Sequence, residues 1–158
     1  MIGYLSVDSI NGKHVGGIII VDDAGIPLEF KYTDPIVPTQ LQRIIYGRSL
    51  ERYLNIEIIA KTLISKLENK PSVIFTDKME LIEAGDNVFF ISKTAEGEAK
   101  PEEGEYIIEG LGAIYRLVGS SQISEDALEK LKEASQKISL IEPFQRLHKA
   151  LEYVCSER

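Results

Sequence analysis

Hydrophobic and polar residues alternate through the first part of the chain, and this alternation predicts three antiparallel strands between about residues 3 and 33. Asn11-Gly12 is a strong signal for a two-residue hairpin turn, because both positions of such a turn need a positive φ. With that turn, Leu5 lies opposite Ile18. A slip of one residue would move every side chain to the other side of the sheet, so the turn predicts the register of the first hairpin.

The second connection of this meander is predicted to be a three-residue loop at residues 23–25, with Gly25 in the left-handed conformation. That loop would set Ile20 opposite Leu28 and Ile18 opposite Phe30. The side chains then divide between an apolar face that packs on the core and a mixed outer face. The predicted core face comprises Leu5, Val7, Ile18, Ile20, Leu28 and Phe30. The predicted outer face comprises Tyr4, Ser6, Asp8, Gly17, Ile19, Glu29 and Lys31.

Helical spacing replaces the alternation in the next segment. Thr39, with a glutamine three residues later, has the form of a capping box that begins a helix. Gly47 is expected to interrupt this helix and Ser49 to begin a second one. Apolar residues recur at helical spacing in the second helix, at Ile56, Ile59, Ala60, Leu63 and Leu67. Two more helices are predicted at the end of the chain, from about Ser124 and from Pro143.

Short apolar runs between these helices predict three further strands, at residues 72–77, 87–93 and 106–118. Asp77 would act as the N-cap of a small helix after the first of them. The order of elements predicts an α+β protein with a single mixed, largely antiparallel sheet, helices packed over it and two C-terminal helices. We expect one domain over residues 1–158, with a mobile acidic loop at residues 94–105.

Composition narrows the expected surroundings and partners of the protein. The formal net charge is −7 and the isoelectric point is about 4.9, which argues against broad nucleic-acid binding, so nucleic acid is not an expected partner. Cys155 is the single cysteine and fits a reducing compartment. There is neither a secretory signal pattern nor an apolar run of the roughly eighteen residues that cross a bilayer. We therefore expect an acidic, soluble, cytoplasmic protein, with a composition typical of a thermophile.

Acidic residues at the ends of strands are the first candidate for chemistry. Three antiparallel strands, a helix and a fourth strand resemble the opening of a ribonuclease H-like fold, with Asp8 in YLSVDS and Asp77 in VIFTD at matching places. The resemblance implies that these two acids bind Mg²⁺ or Mn²⁺ for phosphodiester hydrolysis, with Asp22 or Glu125 as a further ligand. The alternative is a turn, cap or surface role for each acid.

A second candidate is QRIIYGRSLERYL, the densest positive segment on this acidic chain. Arginine and tyrosine together are typical of the centres of binding surfaces, and Arg48 and Arg52 lie one helical turn apart, a spacing suited to one anionic group. The alternative is a solvated helix face. The candidate binding residues are Arg43, Tyr46, Arg48, Arg52 and Tyr53.

The remaining reactive residues carry no motif. His14 and His148 lack the spacing of metal ligands, and Cys155 is expected to act as a small hydrophobic residue. The stretch GGIIIVDDAGIPLEF resembles the central hairpin of roadblock/longin-like regulatory domains, which dimerise. Our leading interpretation is therefore a non-catalytic regulatory module without a cofactor, which binds another protein, a second copy of itself or a small anionic ligand. The alternative is the metal-dependent nuclease or phosphoesterase that uses Asp8 and Asp77.

Overall fold

The computed structural model describes residues 1–95 and 100–157. Its strands form one seven-stranded sheet in the order β3-β2-β1-β4-β5-β7-β6. The strands are β1 (Ile2–Ile10), β2 (Lys13–Val21), β3 (Pro27–Tyr32), β4 (Ile74–Thr76), β5 (Val88–Thr94), β6 (Glu105–Gly110) and β7 (Ala113–Gly119). Of the loop predicted at residues 94–105, residues 96–99 lie outside the described residues.

The register predicted for the first hairpin is confirmed. Asn11 has φ 52° and Gly12 has φ 77°, so both turn residues take the left-handed conformation that a tight hairpin requires. Leu5 pairs with Ile18 as the turn predicts.

The register predicted for the second hairpin is wrong by one residue. Ile20 pairs with Glu29 instead of Leu28, because a β-bulge shifts the pairing between Ile20 and Val21. Leu28 and Phe30 are consequently exposed and do not belong to the core face. The long strand predicted at residues 106–118 is also wrong: β6 and β7 form an antiparallel hairpin, and Gly112 with φ 76° makes the turn between them.

The fold class is confirmed as a single mixed sheet in an α+β protein. Within the described residues, β4 pairs in parallel with β1 on one side and β5 on the other, and the other strand pairs are antiparallel. Because β1 and β4 are parallel neighbours, their carboxyl ends lie at the same edge of the sheet.

Helical segments cover both faces of the sheet, so the prediction of one core face and one mixed outer face is wrong. Odd-numbered β1 residues such as Leu5 pack under the helices that follow β3. Even-numbered residues such as Tyr4, together with Ile19, pack under the C-terminal helices. These helices are distant in sequence, and therefore the local pattern of the meander does not reveal that they cover its second face.

The helical segments are α1 (Gln40–Tyr46), α2 (Ser49–Arg52), a π-helical segment (Tyr53–Ala60), α3 (Lys61–Ser65), a 3₁₀ helix (Met79–Ala84), α4 (Glu125–Ser135) and α5 (Glu142–Ser156). The capping box at Thr39 and the two C-terminal helices are confirmed. Asp77 is not an N-cap: Lys78 holds that position and makes no side-chain cap. No helix in the described part of the chain is long and apolar enough to cross a membrane.

Candidate active site at the ends of β1 and β4

Two strand ends bring the candidate acids together. Asp8 lies near the carboxyl end of β1, and Asp77 follows directly after β4, whose Thr76 pairs with Leu5. In sheets with parallel strands, the carboxyl edge is where ligand sites commonly form, because loops can diverge there while the strands fix the positions of side chains. Asp8 and Asp77 are both mostly buried, with side-chain exposures of 16% and 27%.

A histidine from α5 lies between the two acids. His148 Nδ1 is 2.8 Å from Asp8 Oδ2, and His148 Nε2 is 2.6 Å from Asp77 Oδ2. The other oxygen of Asp77, Oδ1, accepts a hydrogen bond from the buried Ser6 hydroxyl at 2.6 Å. Four polar side chains, from β1, from the residue after β4 and from α5, thus form one connected cluster at the edge of the sheet.

In this cluster the hydrogen bonds between His148 and the two acids favour the charged forms of His148 and Asp77. Hydrogen bonds to Asp77 and then to Asp8 raise the pKa of His148 to about 10, against the opposing effect of burial. The imidazole is therefore protonated at neutral pH and donates from both nitrogens. Burial alone would raise the pKa of Asp77, but the hydrogen bonds from His148 and Ser6 outweigh it and hold this pKa below its usual value.

His148 was missed as a functional candidate at the sequence level, where it has no ligand-type spacing. A signal for it does exist in α5. Phe144, Leu151 and Cys155 are buried and recur at intervals of a helical stripe, and His148 occupies the position of that stripe between Phe144 and Leu151. A histidine in an apolar stripe needs a polar partner in the core, and Asp8 and Asp77 provide it.

A pocket of about 480 Å³ opens beside Asp8. Asn55, from the π-helical segment, lines it and is only 6% exposed. Asn55 Nδ2 donates to Glu80 Oε1 at 3.1 Å, but Asn55 Oδ1 is buried without a hydrogen-bond partner in the structure. Unpaired buried oxygens are rare and often mark sites that bind something, and single π-helical turns are frequent at functional sites. The polar lining also includes Glu51, Glu80 and Glu152.

The arginine and tyrosine candidates divide into separate groups. Arg52 forms an ion pair with Glu83 on the 3₁₀ helix, so it does not join Arg48 around one anion. Tyr46 and Tyr53 stack on each other, with ring centroids 5.2 Å apart. Arg43 and Arg48 line a second pocket, of about 300 Å³, together with His14.

The other acids considered from the sequence lie away from the cluster. Asp22 Oδ1 accepts hydrogen bonds from the backbone N–H groups of Ala24 and Ile26, so it stabilises the β2–β3 turn at the opposite end of β2 from Asp8. Glu125 lies in the first turn of α4. Within residues 1–95 and 100–157, no group of three or more His, Cys, Asp or Glu side chains has an arrangement that could hold a metal ion. Cys155 is buried in α5.

The fold of the chain has counterparts among solved structures of nucleases. The chain superposes on Endonuclease V from Ciona intestinalis, crystallised with DNA containing an inosine followed by a ribo-adenosine. The TM-score is 0.55 at 11% identity, over 99% of this chain and 86% of that one. For Endonuclease V from Bacillus subtilis the TM-score is 0.52 at 14% identity, over 99% and 82% of the two chains. No protein-family model and no curated protein matches the chain.

These comparisons correct two expectations from the sequence. The interpretation as a non-catalytic regulatory module is wrong, since the structures that share the fold over nearly the whole chain are endonucleases. The expectation that nucleic acid is not a partner is also wrong, since one of these structures holds DNA. The net charge of −7 averages the whole surface and does not describe individual pockets, so it does not exclude a locally positive binding site.

Proposed function

We propose that the protein is a divalent-metal-dependent nuclease, with Asp8 and Asp77 at its active site. The observation that carries the proposal is the convergence of the two acids on the single cationic group of His148 at the carboxyl edge of β1 and β4. Two carboxylates held close together at one edge of a sheet supply oxygen ligands of the kind that a divalent cation prefers. The shared fold with Endonuclease V supports phosphodiester bonds of nucleic acid as the substrate.

The side chains around Asp8 fit a magnesium or manganese ion. Both metals prefer oxygen ligands, and carboxylates and amide carbonyls are the usual protein donors. Asp8 and Asp77 would supply the carboxylates, and Asn55, which lines the same pocket as Asp8, would supply its unpartnered Oδ1. When bound, the ion would supply Lewis-acid stabilisation of charge on the phosphate oxygens.

His148 has a positioning role in this proposal. As an imidazolium it offsets the repulsion between the negative charges of Asp8 and Asp77, which keeps the two carboxylates close in the folded protein. Both of its ring N–H groups are directed at the carboxylates, so its role in this proposal is to position Asp8 and Asp77. Ser6 holds Asp77 in place through Oδ1.

The test is cleavage of labelled oligonucleotides in the presence of Mg²⁺ or Mn²⁺. Single-stranded and duplex DNA and RNA should be compared, with and without one inosine, the base present in the Ciona intestinalis complex. Asp8→Asn and Asp77→Asn should each lower the cleavage rate at least about a thousandfold, because the amide keeps an oxygen but loses the negative charge that holds the ion. Chelation with EDTA should abolish cleavage.

Asp22→Asn is the matched control, because it makes the same chemical change at a turn distant from the cluster. It should cleave like the wild type. Isothermal calorimetry with Mn²⁺ gives an independent measurement, in which Asp8→Asn should weaken binding and Asp22→Asn should not. A wild-type protein that cleaves none of these substrates, or whose residual cleavage survives Asp8→Asn, contradicts the proposal.

A further inference from the structure

Arg43 and Arg48 form a positive pocket on a protein with a net charge of −7. Arg43 lies near the end of α1 and Arg48 directly before α2, so the break between the two helices brings them to one pocket. His14, Gly47 and Glu51 also line it. The two guanidinium groups exceed the single carboxylate of Glu51 by one positive charge, so the pocket attracts anions.

Gly47 makes the pocket accessible. Its φ of 57° lies in the left-handed region, which a glycine adopts without strain. A Cβ atom built on Gly47 would meet no atom within 4 Å, so the space in front of this backbone is open. Glycine at such a break lets a ligand approach the main chain closely, as at other anion sites.

Arg43 and Arg48 also differ from other arginines in the described part of the chain in having no ion-pair partner. In the described part of the chain, Arg52 pairs with Glu83 and Arg146 pairs with Glu142, whereas the side chains of Arg43 and Arg48 form no hydrogen bond or ion pair. Their charges are therefore free to bind a ligand. Guanidinium groups match phosphate oxygens in geometry as well as in charge.

The positive pocket adjoins the pocket of the proposed active site. His14 and Glu51 line both of them, and Asp8 lines the active-site pocket. An extended ligand can therefore occupy both at once. In a nucleic-acid strand the phosphates repeat at short, regular intervals, so a strand with one phosphate at Asp8 presents further phosphates to its surroundings.

We propose that Arg43 and Arg48 bind a backbone phosphate of the substrate strand next to the phosphodiester that is cleaved. This inference rests on the proposed nuclease function for the position of the cleaved bond. The occupant is a nucleic-acid strand, bound through its phosphate and not through its base sequence. Affinity from this pocket is consequently independent of sequence and sensitive to salt.

Fluorescence anisotropy with a labelled single-stranded DNA oligonucleotide in EDTA tests the pocket without catalysis. Arg43→Ala/Arg48→Ala should weaken binding on the order of tenfold, because charge-assisted hydrogen bonds to phosphate are lost. The slope of log Kd against log salt concentration should fall by about 0.7, the contribution of one phosphate on a single strand. Lys130→Ala/Lys132→Ala on α4 is the control with the same change in net charge, and it should leave both quantities unchanged.

The two proposals fail in different ways. Arginine-dependent binding without any metal-dependent cleavage supports the phosphate pocket and overturns the nuclease. Cleavage that depends on Asp8, with a Kd and a kcat/KM in Arg43→Ala/Arg48→Ala equal to those of the lysine control, overturns the pocket and leaves the nuclease standing. A wild-type protein that does not bind the oligonucleotide at all also overturns the pocket. Circular dichroism verifies that each variant is folded.

Discussion

The two faces of β1 differ in what they contribute to the protein. Toward the π-helical segment and α3, the strand presents Leu5 and Val7, which pack in a wholly apolar cluster. Toward α5 it presents Tyr4, Ser6 and Asp8, in that order along the strand. Along this second face the side chains are thus an aromatic ring, a hydroxyl and a carboxylate, and the carboxylate is nearest the edge of the sheet at which β4 also ends. Among the side chains of β1 itself, those on the first face are apolar and only pack, while those on the second face also supply the acid of the proposed site.

The helices above the two faces differ accordingly. The helical segments after β3 approach the sheet so closely that Ile59 lies over Gly16. On the other face, Leu147 and Leu151 of α5 contact Gly17, and His148 of the same helix reaches the acids. The position of α5 is therefore determined by apolar contacts, and these contacts hold the histidine between its carboxylates.

Substitution of Gly16 and Gly17 by alanine compares the packing of the helices on the two faces of the sheet. It has the largest expected effect on stability. A Cβ atom at Gly16 would lie 2.1 Å from Ile59 Cγ2, a branch next to the helix backbone, so Gly16→Ala should lower the free energy of unfolding by about 3 kcal/mol. At Gly17 the nearest atom is Leu151 Cδ2 at 2.9 Å, the end of a flexible side chain. Gly17→Ala should therefore cost about 1 kcal/mol.

Equilibrium urea denaturation of the two variants measures both costs, and unchanged m-values would show that the comparison is valid. The ratio of the two losses in the free energy of unfolding matters more than the size of either loss. If Gly17→Ala destabilises the protein as much as Gly16→Ala, the α5 face is packed as rigidly as the face beneath α3, and the proposed difference between them is incorrect.

Replacement of Asp77 tests the polar part of the second face, with a smaller expected effect. Asp77→Ala leaves the Ser6 hydroxyl, which is fully buried, without its acceptor, and it removes one partner of His148. We expect a loss of about 2 kcal/mol in the free energy of unfolding. Asp77→Asn should cost less, because its amide oxygen can still accept the hydrogen bond from Ser6. Equal losses in thermal or urea denaturation would mean that Ser6 contributes nothing through this bond.

Local signals predicted the fold well where a single turn determines the register. Asn11-Gly12 set the first hairpin correctly, because few other residues accept its backbone conformation. The bulge beside Ile20 shifted the second hairpin, and nothing in the local pattern distinguishes a bulged pairing from a regular one. Coverage of the second face by α5 depends on contacts between residues more than a hundred positions apart. The alternation in β1 alone therefore suggested an outer face where a core exists.

Only part of the proposed site could be predicted, because some of its residues are placed by contacts that are distant in sequence. Asp8 and Asp77 could be selected from the sequence because the order of its first elements resembles a ribonuclease H-like fold, and the parallel pairing of β1 with β4 brings the ends of these two strands to one edge. His148 reaches them from a helix whose position is set by tertiary packing. Asn55 gives no local sign that its carbonyl oxygen is buried without a partner. Short-range patterns thus identify residues on strand ends, and they miss those contributed by packed helices.

The pH dependence of stability gives the smallest expected effect and tests the charge on His148. The pKa of His148 is about 10 in the folded protein and about 6.5 when unperturbed, so the folded state holds this proton more tightly. Its stabilising contribution is complete below pH 6.5 and is lost as the pH rises through 10. Since the side chain is 30% exposed and partly screened by solvent, we expect a loss of about 1.5 kcal/mol over this range.

Urea denaturation at a series of pH values from 6 to 10.5 measures the effect, and His148→Gln isolates it from other groups that titrate in the same range. The wild type should be more stable than His148→Gln at pH 6, and the difference should shrink by about 1.5 kcal/mol toward pH 10.5. If wild type and His148→Gln instead follow parallel curves, His148 carries no extra proton in the folded state. The two carboxylates would then face a neutral imidazole, and the α5 face would lack the positive charge on which its difference from the α3 face depends.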